Sequence, residues 1–188
     1  MGTLTALYDA CVLYPAPLRD FLMHLAVTEL VSARWTDQIH DEWIGALLIK
    51  RPDLTREQLE RTRELMNAHA SEALVTEYEG LIETLDLPDP DDRHVLAAAI
   101  HSGSSVIVTY NLNDFPTPYL AQFDIEAQHP DLFITNLLDT ASDQVCTAAR
   151  RQLASLKNPP KTTDEFLDTL TEQRLPKTVA RLRNLLFS

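Results

Sequence analysis

Four carboxylates set the first question about this chain. Asp9 follows the short apolar segment Thr3 to Tyr8, and Glu42 lies beside the apolar stripe of a helical stretch. Asp92 stands just before the apolar run Val95 to Ile100, and Asp114 comes after the β-branched run Ser105 to Thr109. Like charges within a few ångströms raise one another's pKa and cost stability, so a cluster of acids is hard to justify without a cation to fill it. Oxygen donors with no Cys or His partner suit Mg²⁺ or Mn²⁺ rather than zinc. Such ions commonly act on phosphate esters, generating a hydroxide and stabilising charge in an in-line displacement. Each acid also has a plainer reading. Asp9, Asp89, Asp91 and Asp92 are good turn formers and helix caps, Glu42 suits a solvated helix face, and Asp114 and Asn111 suit a turn. Only joint placement by the fold separates the two readings.

The elements that would do the placing are legible from local chemistry. Leu87 to Pro116, LPDPDDRHVLAAAIHSGSSVIVTYNLNDFP, reads as a helix opened by acids, which complement its dipole, followed by a short buried parallel strand and an Asn/Asp loop. Before it come a strand ending at Tyr8, a helix from about Leu18 to Leu30, and a short strand around Ser32 to Trp35. Thr36 then caps a helix from Asp37 to about Lys50, and a Thr55/Gln58 capping box opens another from Arg56 to about Ala70. Ala73 to Leu87 is ambiguous, with Glu77 to Gly80 reading as loop. Phe123 to Ala127 reads as a last strand, and Pro130 opens a helix to about Leu138. From Ser142 onward only helices are expected: one to about Lys157, one behind a Thr162/Glu165 capping box, and one from Pro176 to about Leu186. Strands alternating with helices predict an α/β fold with a parallel sheet covered on both faces, and the carboxyl ends of its strands are where ligands bind.

Composition narrows the function classes. The chain has 188 residues, 45% of them hydrophobic, and a formal net charge of −12. That is enough for one core, and the charge argues against bulk attraction to nucleic acid. The charge is uneven: residues 1–149 hold eight Lys/Arg against twenty-four Asp/Glu, and residues 150–188 hold eight against four. An acidic body is thus followed by a basic tail. With no basic leader, no apolar run of membrane length and only Cys11 and Cys146, a cytoplasmic protein with reduced thiols is expected.

The combination LYDACVL, Glu42 on a helix, LPDPDDRHVLAAAI and VIVTYNLNDFP resembles the PIN-domain family, and specifically the toxin ribonucleases of bacterial type II toxin–antitoxin pairs, over roughly residues 4 to 138. The resemblance implies a three-layer α/β/α nuclease domain, taken as 1–140, with 141–188 as a helical C-terminal extension. It implies a metal-dependent endoribonuclease whose acids hold one or two Mg²⁺ or Mn²⁺ ions and whose products end in 5′-phosphate and 3′-hydroxyl. By motif position the ligands are Asp9, Glu42 and Asp92. The fourth position lies between Asn111, two residues after Thr109, and Asp114. Asp114 is taken as the ligand, with Thr109 and Asn111 orienting it and Asp91 able to supply charge. An RNA substrate, a cognate antitoxin protein and a homodimer follow from the same resemblance. Lys50, Arg51 and Arg56, with Arg61 and Arg63, are the expected phosphate contacts. The alternative is a catalytically weak or inactive PIN-like module that binds RNA or protein, since Asn111 is not an acid. A haloacid-dehalogenase-like phosphatase also places an Asp after its first strand but needs a second two residues on, where Cys11 stands. A response regulator would want its early acids paired.

Overall fold

The computed structural model describes residues 3–187 and is organised on a four-stranded sheet of order β2-β1-β3-β4, with β1 Leu4–Tyr8, β2 Val31–Arg34, β3 Val106–Val108 and β4 Glu126–Gln128. All pairs are parallel: Ala6 lies opposite Ala33 on one side and Val106 on the other, and Val106 lies opposite Glu126. Ala6, Leu7, Tyr8, Ile107 and Val108 are fully buried, as central strands covered on both faces require. The covering helices are α1 Ala10–Leu13, α2 Ala16–Val27, α3 Asp37–Lys50, α4 Arg56–His69, α5 Glu79–Ile82, α6 Arg93–His101, α7 Thr117–Leu120, α8 Pro130–Ser155, α9 Thr163–Glu172 and α10 Pro176–Leu186. The α/β class expected from the sequence is the one found. Residues 1, 2 and 188, at the outer ends of the expected domains, lie outside the described residues.

Side-chain chemistry explains most boundaries. The Thr36 hydroxyl accepts from the Ile39 N–H at 3.0 Å, and the Thr55/Gln58 and Thr162/Glu165 capping boxes close in both directions. Each such cap stabilises its helix by about 1 kcal/mol. Three boundaries differ from the sequence reading. Glu79 and Gly80 belong to the short helix α5, while Ala73 to Val75 run beside Trp35: Trp35 N–H donates to Ala73 O at 3.0 Å, and Val75 N–H to Trp35 O at 2.8 Å. The last strand starts at Glu126 rather than Phe123, because Phe123 closes a 3-10 turn and Asp124 leaves it in the left-handed region at φ 56°. The helix expected to end near Leu138 continues as α8 to Ser155 with a single non-helical residue, Ala141, since Leu137, Leu138, Val145, Ala148 and Ala149 carry a buried apolar face across it.

Helices α9 and α10 join the same core. Phe166, Leu167, Leu170, Leu175 and Leu182 are buried as α9 and α10 pack on α8, α2 and each other, at about 1.5–3 kcal/mol for each large side chain. Among the described residues no helix is long and apolar enough to cross a membrane.

Candidate functional site

Because all four strands run the same way, their carboxyl ends share one edge. The chain leaves β1 toward β2 on one side and passes from β3 to β4 on the other, so the crevice between β1 and β3 is where the connections diverge. Asp9 and Thr109 follow those two strands directly. Asp9 N–H donates to Val108 O at 3.1 Å. Its Oδ1 accepts from the Ala10 N–H at 2.8 Å, and its Oδ2 accepts from the Thr109 hydroxyl at 2.8 Å. Thr109 Oγ1 in turn accepts from the Asn111 N–H at 3.0 Å, which orders the start of the loop. Cys11 Sγ stands 3.5 Å from Asp9 Oδ2 and 3.4 Å from Thr109 Oγ1. Asp9 therefore does cap α1, as the plain reading had it, and with the Cys11 thiol also donating to Oδ2 about one of its four lone-pair positions remains for the cleft. Burial raises its pKa; the hydrogen bonds from Thr109 and Ala10 oppose that rise, and the charge of Glu42 adds to it.

Glu42 is held from two sides. His94 Nε2, on α6 and buried, lies 2.7 Å from Glu42 Oε1 at ion-pair distance but off the line a hydrogen bond prefers, and His94 Nδ1 has no partner. One turn away, α3 is locked to its neighbours by a buried polar chain. Trp43 Nε1–H donates to His40 Nδ1 at 3.0 Å, so Nε2 of a neutral His40 carries the proton facing Asn67 Oδ1 at 3.2 Å. Trp35 Nε1–H reaches the same oxygen at 2.7 Å. Burial lowers the His40 pKa to about 4, consistent with the neutral ring. Arg19 stacks on the outer side of Trp43 at 4.7 Å while donating to Leu13 O at 2.8 Å, tying α1 to α3.

The three aspartates before α6 have separate jobs. Asp89 Oδ1 accepts from the Asp91 N–H at 2.9 Å and so makes the cap, and Asp91 is exposed. The Asp92 carboxylate sits at the N-terminus of α6 without making a capping hydrogen bond. It has no hydrogen bond or ion pair among the described residues. Burial first, then the charges of Asp9, Asp114 and Asp89, raise its pKa from 3.8 to about 7, and His94 only partly offsets this. A carboxyl whose folded pKa lies above its unfolded value contributes stability that is complete below the unfolded value and is lost as the pH rises through the folded one. The nominal shift is worth ~4 kcal/mol, and solvent screening at a half-buried site reduces this to about 1–2 kcal/mol. Asp92→Asn in EDTA is therefore expected to melt roughly 2–8 °C above wild type at pH 8 and at about the same temperature near pH 4. Equal melting at pH 8 would mean that Asp92 carries no such penalty.

Asp9, Glu42, Asp92 and Asn111 line one cleft of about 390 Å³ together with Cys11, Tyr14, Trp43 and Ala46. Asp114, in the 3-10 turn Leu112–Asp114, acts on Asp92 electrostatically. A larger cleft of about 490 Å³ between α2 and α4 includes Met23, Val27 and Leu65 and lacks this gathering of acids, so chemistry rather than size singles out the first. By charge and hardness the carboxylate set fits Mg²⁺ or Mn²⁺. The spacing is open: among the described residues no three His, Cys, Asp or Glu groups are placed to hold one ion as they stand, so binding would require the acids to turn inward.

The expected phosphate contacts fare differently. Arg51 pairs with Asp53 at 2.6 Å and Arg56 with Glu60 at 3.7 Å, while Arg63 pairs with Asp37, Asp41 and Glu60. Arg63, the least exposed of the three, is enclosed by carboxylates, Arg51 and Arg56 pair at the surface, and Lys50 and Arg61 are exposed without a partner among the described residues. Residue-level reading missed the placement of His94, although it lies inside the DDRHVLAAAI motif, the contact of Cys11 with both Asp9 and Thr109, and the His40–Asn67 chain.

Comparison with known proteins places the chain among described families. A family model described as "PIN domain" matches residues 5–113, and one described as "VapC50 C-terminal domain" matches residues 130–184. A Mycobacterium tuberculosis protein named "Putative ribonuclease VapC50" is 39% identical over 94 residues, which is 50% of this chain and 55% of that protein. The chain thus spans about half the length of the curated relative it matches. No solved structure matches.

Proposed function

The chain belongs to the PIN-domain family, and from that membership together with the carboxylate cleft we propose that it is a metal-dependent endoribonuclease of the toxin–antitoxin type. The observation that carries the proposal is Asp92: a carboxylate at the sheet's ligand-binding edge, unsatisfied by any hydrogen bond and pushed to about 7 by burial and three neighbouring acids. A helix N-terminus ordinarily favours the ionised form. Such an arrangement costs stability in the free protein and is relieved by a hard cation. Asp9, Glu42, Asp92 and Asp114 would hold Mg²⁺ or Mn²⁺, with Asn111 at the cleft wall. The bound ion would supply a hydroxide near neutral pH and charge stabilisation for the displaced oxygen.

The chain's own residues set the stage for that chemistry. Thr109 and the Ala10 N–H fix the plane of the Asp9 carboxylate, and Asn111 is anchored to Thr109 through its backbone. His94 lies at ion-pair distance from Glu42, which is on the wall of the cleft. No side chain is called on as a covalent nucleophile. The same reading gives the chain an RNA substrate, a protein antitoxin that blocks it, a homodimeric state, a cytoplasmic location, and a division into a nuclease domain 1–140 and an extension 141–188. The RNA substrate and the antitoxin rest on family membership and on the named relative, and the homodimer, the location and the division at 140 rest on the sequence and its resemblance alone.

The test is cleavage of a labelled mixed RNA pool by purified protein in Mn²⁺, Mg²⁺ or EDTA. Cutting in either metal that stops in EDTA is expected. RNA or protein binding that is tight, unaccompanied by cutting and indifferent to metal and chelator would instead make the chain a binding module, the role the non-acidic Asn111 would suit.

A further inference from the structure

We infer that the C-terminal extension completes the RNA site: Arg174, on the turn between α9 and α10, contacts a phosphate of RNA entering the carboxylate cleft, with Tyr110 as its platform. The inference rests on the nuclease reading and adds to it a residue outside the PIN-domain match, which ends at 113.

Position comes first. Tyr110 directly follows Thr109 and precedes Asn111, so it belongs to the loop that forms the cleft. Its hydroxyl donates to Gln173 O at 2.6 Å, and the Arg174 guanidinium lies over its ring at 5.0 Å. His129 supports the ring edge-on at 5.1 Å. The α9–α10 turn is therefore pinned to the same sheet edge as the acids, and its arginine is held by a cation–π contact that leaves the guanidinium N–H groups free to donate.

Charge comes second. In a chain of net charge −12, Arg51, Arg56 and Arg63 are paired as above, Arg181 pairs with Asp139 and Arg183 with Asp164, while Arg61 on α4 is exposed without a partner among the described residues. Arg174 is exposed and has no carboxylate partner among the described residues. An acidic protein that binds RNA needs unpaired cations near its cleft, and Arg174 stacks on Tyr110, the chain neighbour of the cleft-lining Asn111.

Backbone comes third. Gln173 caps α9 and Arg174 follows at φ 63°, the left-handed position after a helix that glycine prefers. An arginine at this place works against backbone preference, and the side chain it presents is the one an RNA phosphate recruits best.

The left-handed backbone at Arg174 allows a clean variant. Arg174→Gly relieves the left-handed strain, so it should melt no lower than wild type while losing the guanidinium. Binding of a labelled single-stranded RNA is measured in EDTA over a range of salt, and KM and kcat for cleavage in Mn²⁺. Arg174→Gly is expected to weaken binding about tenfold, to reduce the slope of log affinity against log salt by about 0.7, and to raise KM with little change in kcat. Arg174→Lys, which keeps a charge, should retain the salt slope. Arg181→Ala changes net charge equally but removes a cation already engaged by Asp139, and should leave both affinity and slope unaltered. If wild type binds and cuts RNA and Arg174→Gly does so with the same affinity, slope and KM, the role of Arg174 is overturned and the nuclease stands. A wild-type chain that neither binds nor cuts RNA overturns both.

Discussion

Asp9→Asn is expected to fold at least as well as the wild-type chain and to cut RNA roughly 10³-fold more slowly. The magnitude follows from the several kcal/mol that a catalytic cation contributes through charge stabilisation, at tenfold in rate for each 1.36 kcal/mol. The direction follows from the geometry. Asn keeps an oxygen to accept from the Ala10 N–H, and its amide nitrogen sits where Oδ2 faces the Thr109 hydroxyl. The cap on α1 therefore survives, while the buried negative charge next to Glu42 disappears. Because burial raises the Asp9 pKa, removing its charge should not lower the melting temperature near neutral pH. Loss of activity then cannot be ascribed to unfolding. A thermal melt and a metal-titrated cleavage assay on the same preparations check both halves. Full activity in Asp9→Asn would remove Asp9 from the metal site; activity that persists equally in EDTA would point to a contaminating nuclease and not to this cleft.

The contrast between Asp9 and Asp92 sharpens that expectation. Asp9 is surrounded by donors and Asp92 by acids. Substitution of either should abolish cleavage, yet only Asp92→Asn should give a clear stabilisation in EDTA at pH 8. A structural acid whose only job was capping would show the reverse, with lost stability and no effect on chemistry.

What could be read along the chain was what local chemistry decides. Thr36, Thr55 and Thr162 announce helix starts because a hydroxyl caps the turn that follows it, whatever the fold. Val106 to Val108 announces a buried strand because β-branched residues pack well there. The gathering of Asp9 and Asp92 at one edge needed the parallel topology as well, and alternation of strand and helix was enough to suggest it. What stayed hidden was pairing across elements. Arg56 with Glu60 is a one-turn spacing visible in the sequence, whereas Arg63 reaches Asp37 and Asp41 only because α4 packs on α3. The same holds for His94 beside Glu42 and for Arg174 over Tyr110, contacts whose partners lie far apart in the chain. The continuation of α8 past Leu138 was masked because the mostly polar run Asp139 to Gln144 breaks the apolar periodicity before the buried face resumes at Val145.

Asp131→Ala, on α8 ahead of the 141–188 extension, is expected to loosen that extension from outside it. Helix α10 begins at Pro176, and its N-cap residue Leu175 offers no side-chain acceptor. The need is met from another element. Asp131, near the start of α8, accepts from the Thr178 N–H at 2.8 Å through Oδ1 and from the Lys177 N–H at 3.1 Å through Oδ2. Asp131 and Thr178 are both buried, so water cannot readily replace the carboxylate at Thr178, whose stranded N–H costs about 1–3 kcal/mol, while the N–H of the exposed Lys177 loses less. A total near 3 kcal/mol corresponds to a fall of roughly 6–12 °C in melting temperature for a chain of this size. Asp131→Asn, with one acceptor oxygen left and an amide donor facing a second N–H, should fall between the two. Hydrogen exchange reads the effect locally: amides of α10 should lose protection in Asp131→Ala before those of β1 and β3 do. The turn bearing Gln173 and Arg174 directly precedes α10, so loosening α10 should also free Tyr110 and weaken RNA binding in step with Arg174→Gly. Undiminished protection of α10 in Asp131→Ala would show that apolar packing of Val179 and Leu182 holds the helix unaided. The carboxylate would then be dispensable to the turn that carries Arg174.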